Sequence, residues 1–62
     1  MQFEIPNMTC GGCARGVTAI IKSLDENAQV NINLDTKQVE VNTDLPEAKV
    51  REALNEDGFP PA

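Results

Sequence analysis

AQVNINLDTKQVEVN, residues 28–42, decides the fold. From Ala28 to Leu34 the residues alternate. Val30, Ile32 and Leu34 are apolar, while Gln29, Asn31 and Asn33 are polar. Asp35-Thr36-Lys37 reads as a turn, and the alternation resumes with Val39 and Val41 between Gln38, Glu40 and Asn42. A period of two marks half-buried strands, and so short a connection makes them a hairpin. The outward positions are nearly all Gln, Asn and Glu, so one sheet face meets water. Any helices must cover the other face.

Upstream, Gln2 to Pro6 alternates in the same way, with Phe3 and Ile5 apolar. From Cys13 the period changes. Cys13, Val17, Ile20 and Leu24 are spaced four, three and four apart, with Ile21 alongside. This predicts an amphipathic helix of about three turns, ended by Asp25-Glu26-Asn27. Gly16 lies inside it, at a cost of about 0.5–1 kcal/mol relative to alanine. Downstream, Asp44-x-x-Glu47 fits a capping box with Pro46 in the first turn of a second helix. Val50, Ala53 and Leu54 form its apolar stripe, and Gly58 is its terminator. Phe59-Pro60-Pro61-Ala62 is expected to form a short last strand at a sheet edge. The order is then βαββαβ. The expected fold is an α+β, ferredoxin-like sandwich: a four-stranded antiparallel sheet with two helices on one face, in a single domain over residues 1–62.

Composition narrows the chemistry. A chain of 62 residues buries only about 60% of its unfolded surface, which leaves little room for a deep cleft. Five Lys/Arg stand against ten Asp/Glu, a formal charge of −5. Nucleic acid and anionic membrane both call for a basic patch instead. The acidity is spread along the chain as a solvated surface, or as a complement to a basic partner. Arg15 and Lys22 share one helix face, either solvated or turned toward an acidic partner or a negatively charged metal site. Histidine is absent, which removes the commonest general base and a common zinc ligand. No apolar run approaches the roughly 20 residues of a membrane span. The N-terminus shows no basic segment followed by an apolar one. With Met1 as the native start, a cytoplasmic protein is expected.

The chemistry concentrates in Met8-Thr9-Cys10-Gly11-Gly12-Cys13, which holds both cysteines. Two thiols at C-x-x-C spacing can meet at one atom, and Gly11-Gly12 is expected to give the loop a freely bent backbone. Cys13 falls at the first turn of a helix, where unpaired N–H groups stabilise a thiolate. Thiolates select soft ions. Two sulfurs suit Cu(I), whereas structural zinc usually takes four ligands. The stripe position of Cys13 makes it the inner thiol and leaves Cys10 the more exposed entry thiol. A redox dithiol and inert thiols stay open as other roles for the pair.

This loop, opening a helix after a first strand, resembles the M-x-C-x-x-C loop of heavy-metal-associated domains. These are the small copper chaperones and the N-terminal metal-binding modules of copper-transporting P-type ATPases. The resemblance spans essentially the whole chain, including Gly58-Phe59 before the last strand. It implies that Cys10 and Cys13 bind Cu(I). It implies that Met8 packs under the loop, and that Phe59 covers the site without supplying a hydroxyl or a charge. Gly11-Gly12 departs from the commoner pair ending in Ala or Ser. Thr9 stands where related zinc-handling modules often carry an acid, which favours Cu(I) over Zn(II). A related mercury-binding protein uses nearly the same loop, so Hg(II) stays open.

The implied function is Cu(I) transfer by thiolate exchange, without enzymatic activity. The implied partner is a copper-transporting P-type ATPase or another C-x-x-C domain, and two exposed C-x-x-C loops sharing one ion would make a metal-linked homodimer. A regulatory domain of such an ATPase is the second reading.

Overall fold

The computed structural model describes residues 1–62. Strand β1 spans Gln2–Glu4, helix α1 Gly11–Leu24, strand β2 Gln29–Asn33, strand β3 Gln38–Asn42 and helix α2 Glu47–Glu56. The sheet order is β1-β3-β2, antiparallel throughout. The register sets Phe3 against Val39 and Val30 against Val41. Phe3, Val39 and Val41 are buried in one cluster with Val17 and Ile21 of α1 and Val50 and Leu54 of α2. Both helices therefore cover the same sheet face. On the opposite face Gln2 is paired with Glu40, and its side-chain amide donates to the Glu40 carboxylate at 3.3 Å.

The fourth strand does not form, and the backbone donors show why. The Phe59 N–H donates to the Leu54 carbonyl at 2.8 Å, as part of the α2 cap. Pro60 and Pro61 have no N–H to offer. Only Ala62 remains, and its N–H donates to Glu4 at 2.8 Å. One bond holds the tail beside β1 but makes no ladder. The molecule is thus a βαββα sandwich with a three-stranded sheet, the ferredoxin-like layout short of its last strand.

The α2 capping box is also absent. Helix α2 begins at Glu47, with Pro46 as an extended N-cap and no side-chain cap bond. A residue before proline is pushed toward extended backbone, so Leu45 cannot be helical and the start moves downstream. Thr43 organises this entry instead. Its hydroxyl accepts from the Leu45 N–H at 3.2 Å and donates to the Asp25 carboxylate at 2.6 Å, tying the start of α2 to the end of α1.

Four other expectations shift. Helix α1 has 14 residues, about four turns, because Gly11 and Gly12 are already helical. Leu34 points outward at 37% exposure. The strand ends at Asn33, whose side chain accepts from the Asp35 and Thr36 N–H groups and bends the chain before Leu34 can face in. Leu24, the last residue of α1, is 41% exposed where the helix outruns the core. Val30 and Ile32, on the edge strand β2, are only half-buried.

Candidate metal centre

The cysteine loop is built between fixed ends. After Ile5, which is fully buried, the Met8 N–H returns to the Ile5 carbonyl at 3.0 Å. This turn sends the Met8 side chain into the core at 0% exposure. Met8 is thus a core anchor beneath the loop, away from the position of a ligand. The Asn7 side-chain amide donates to the Gly58 carbonyl at 3.1 Å and fastens the loop to the α2 terminus.

Cys10 is the N-cap of α1, in extended backbone (φ −150°, ψ 171°), and its carbonyl accepts the first helical bond, from Ala14 at 3.1 Å. Cys13 follows at the third helical position. The Cys10 thiol donates to the Cys13 sulfur across 3.4 Å. Cys10 is exposed and Cys13 half-buried, as the stripe position of Cys13 implies. No side chain caps this terminus and no acid occupies its first turn. The helix's positive end is therefore left to the sulfurs.

The Cys13 thiol is held below the ordinary thiol range. The largest cause is a hydrogen bond from the Thr9 backbone, followed by one from the Cys10 side chain. Partial burial opposes these, and the Cys10 backbone and the Thr9 hydroxyl add to them. Thr9 thus acts on Cys13 through both backbone and side chain, although it is itself exposed.

The glycines play a different part from the one the sequence suggests. Among non-glycine and glycine residues alike, only Lys37 and Gly58 have positive φ, so Gly11 and Gly12 are ordinary helical residues. A β-carbon on Gly11 would meet nothing, and one on Gly12 would lie 3.7 Å from the Cys10 sulfur. What the pair contributes is open space in front of the thiols. Gly58 does need its freedom, at φ 88°. With the Gly58 N–H on Asn55 and the Phe59 N–H on Leu54, it closes α2 as a Schellman turn. That turn lays the half-buried Phe59 ring against Gly16, one helical turn beyond Cys13. Phe59 therefore covers the flank of α1 next to the site.

Arg15 and Lys22 are exposed, outside the loop. Lys37 is the residue sequence reading missed. It lies 29 positions from Met8, yet its ammonium donates to the Met8 carbonyl at 3.2 Å. No local pattern reports such a contact, because it depends on how the hairpin packs beside the loop. No group of three or more Cys, Asp or Glu side chains gathers anywhere in the molecule, so two sulfurs are the donor set this chain brings together. No helix is long and apolar enough to cross a membrane.

Known proteins are similar to this chain. The copper transport protein ATOX1 homolog of Dictyostelium discoideum is 42% identical over 33 residues, a match covering 53% of this chain and 49% of that relative. The match thus spans about half of each protein. A solved gold binding protein is 48% identical, with a TM-score of 0.96 over 98% of this chain and 94% of its own. The copper chaperone Atx1 from Synechocystis, solved as a trimeric form of a His61Tyr mutant, is 29% identical with a TM-score of 0.97 over 100% and 98%. The model of the heavy-metal-associated domain matches residues 2–60, which takes in the cysteine loop, both helices and the Gly58-Phe59 turn. On that match, and with two thiols presented at the start of α1, the chain belongs to the heavy-metal-associated domain family.

Proposed function

We propose that this chain binds one Cu(I) ion through Cys10 and Cys13 and passes it on by thiolate exchange, as a copper chaperone. The observation that carries the reading is a pair of sulfurs 3.4 Å apart at a helix N-terminus, with no third donor beside them. Two-coordination suits Cu(I), whereas zinc usually requires four ligands. Thr9 at the position before Cys10 adds no carboxylate, which argues against Zn(II), while a linear pair of thiolates also accepts Hg(II). With a bond near the zinc–thiolate length of about 2.3 Å, sulfurs in a linear site would stand roughly 4.6 Å apart. Loading therefore opens the pair by about 1 Å, from its 3.4 Å separation. Exposed Cys10 is the thiol free to move, while Cys13 is fixed in the helix.

Transfer follows from the same geometry. A thiolate of a partner C-x-x-C site approaches over Gly11 and Gly12, where no side chain obstructs it. The ion becomes three-coordinate, the Cys10 sulfur leaves, the partner's second thiolate binds, and the Cys13 sulfur leaves last, so that the partner's two thiolates hold the ion. The ion changes ligands and no bond in either protein is made or broken, so the role is not enzymatic. A copper-transporting P-type ATPase in the cytoplasm's reach, or another C-x-x-C domain, is the fitting recipient. Two copies sharing one ion is the corresponding homodimer.

A second reading concerns the cargo. The 48%-identical neighbour is a gold binding protein, and Au(I) is also a soft monovalent ion that accepts two thiolates. Mixing the Cu(I)-loaded chain with an isolated ATPase C-x-x-C domain, with Au(I) loading in parallel, tests both. Copper appearing on the recipient within the mixing time supports the chaperone reading. Copper retained against excess recipient contradicts it. Au(I) displacing Cu(I) at equal concentration favours gold as cargo.

A further inference from the structure

Lys37 makes two connections from the turn between β2 and β3. Its backbone is in the left-handed region, at φ 60°. Its carbonyl accepts the Ile5 N–H at 2.9 Å, and its ammonium donates to the Met8 carbonyl at 3.2 Å. The turn thus grips both ends of the segment that runs from β1 into the cysteine loop. A non-glycine residue held at positive φ is uncommon, and here the strained backbone is what brings both groups onto this segment.

The Met8 carbonyl and the Thr9 N–H belong to one peptide unit. That unit is planar, so fixing the carbonyl direction fixes the N–H in the opposite direction. The Thr9 backbone, on that same peptide unit, is the largest cause holding the Cys13 thiol below its ordinary range. The chain of groups therefore runs from ammonium to carbonyl, through the amide, to the sulfur. A charged donor on the carbonyl polarises the amide and strengthens the bond its N–H makes.

We propose that Lys37 is a positioning residue of the metal loop: by holding the Met8–Thr9 peptide with its carbonyl toward the hairpin and its amide toward Cys13, it sets how tightly the sulfur pair retains a soft ion. The proposal rests on the reading of Cys10 and Cys13 as Cu(I) ligands. It assigns a role to a residue outside the cysteine loop that touches neither sulfur.

The test compares Lys37→Met, Lys37→Arg and Lys37→Gln with the unaltered chain. Methionine keeps a long unbranched stem without a donor, arginine keeps a charged donor, and glutamine keeps an uncharged one. Three quantities are read: Cu(I) affinity by competition with a chromogenic chelator, the amide proton shift of Thr9 in the reduced metal-free protein, and the urea midpoint. Loss of an outer partner of a metal site costs 10–100-fold in affinity, and Lys37→Met is expected at about 10-fold. Its Thr9 amide proton should move upfield, Lys37→Gln should fall between, and Lys37→Arg should restore both values. A Lys37→Met loss explained by folding would follow the urea midpoint and leave arginine and glutamine variants of equal stability indistinguishable. That result overturns the proposal. So does an unmoved Thr9 amide with unchanged Cu(I) affinity. The underlying reading fails separately, if the unaltered chain does not retain Cu(I) against the chelator.

Discussion

The edge of the Phe59 ring lies 3.7 Å from where a β-carbon on Gly16 would stand. That is ordinary van der Waals contact, with no overlap. Gly16 therefore carries the backbone-entropy cost of a helical glycine without a steric need for it. Gly16→Ala should stabilise the fold by about 0.5–1 kcal/mol. Urea unfolding measures this, and a lower midpoint would show that Phe59 needs closer access to the α1 backbone.

Gly58 has the opposite character. At φ 88° it occupies the region that a side chain disfavours by about 1–2 kcal/mol. Gly58→Ala should destabilise by that amount. It should also loosen the Asn7 bond to the Gly58 carbonyl, and so the cysteine loop. Unfolding curves give the first effect. Faster amide exchange at Met8 and Thr9 gives the second.

The link between α1 and α2 should weaken at low pH. The Thr43 hydroxyl is the first cause holding the Asp25 carboxyl below its usual range, with the Asn27 backbone N–H and the Lys22 charge adding to it. A depressed carboxyl contributes stability above its unfolded pKa of about 3.9. That contribution is lost as pH falls through the lower folded value. Thr43→Val should therefore destabilise most at pH 7, and the deficit should narrow below about pH 4. An equal deficit at both ends would place the whole effect in the Thr43–Leu45 bond.

Cys13 should titrate below the ordinary thiol range, because the Thr9 backbone and the Cys10 side chain favour its charged form. Protons compete with a metal for a thiolate, so a depressed pKa extends metal binding to lower pH. The pH dependence of the Cys13 β-carbon NMR shift in the reduced chain reports the midpoint. A midpoint at or above that of a denatured control would remove this electrostatic preparation.

Much of this architecture is written in local pattern. The period of two gives β1, β2 and β3, and the change of period at Cys13 gives α1. The C-x-x-C spacing brings Cys10 and Cys13 together because a helix start places an N-cap and a third position on one side. What the pattern missed has specific causes. The last strand, expected at an edge because Pro60 and Pro61 cannot donate, fails because the Phe59 N–H is taken by the Leu54 carbonyl and Ala62 alone is left to pair. The Asp44–Glu47 box fails because Pro46 constrains Leu45. Leu34 turns out because Asn33 uses its side chain on the turn. Lys37 reaches the Met8 carbonyl across 29 residues and Asn7 reaches the Gly58 carbonyl across 51, which periodicity does not record.

The central claim is that two sulfurs of this chain hold one soft monovalent ion. An anaerobic Cu(I) titration of the reduced protein against a chromogenic chelator, with Zn(II) in parallel, tests it most directly. Tight one-to-one Cu(I) binding that disappears in Cys10→Ser/Cys13→Ser is expected, with far weaker Zn(II) binding. Weak Cu(I) binding beside tight Zn(II), or Cu(I) binding that survives loss of both thiols, would contradict it.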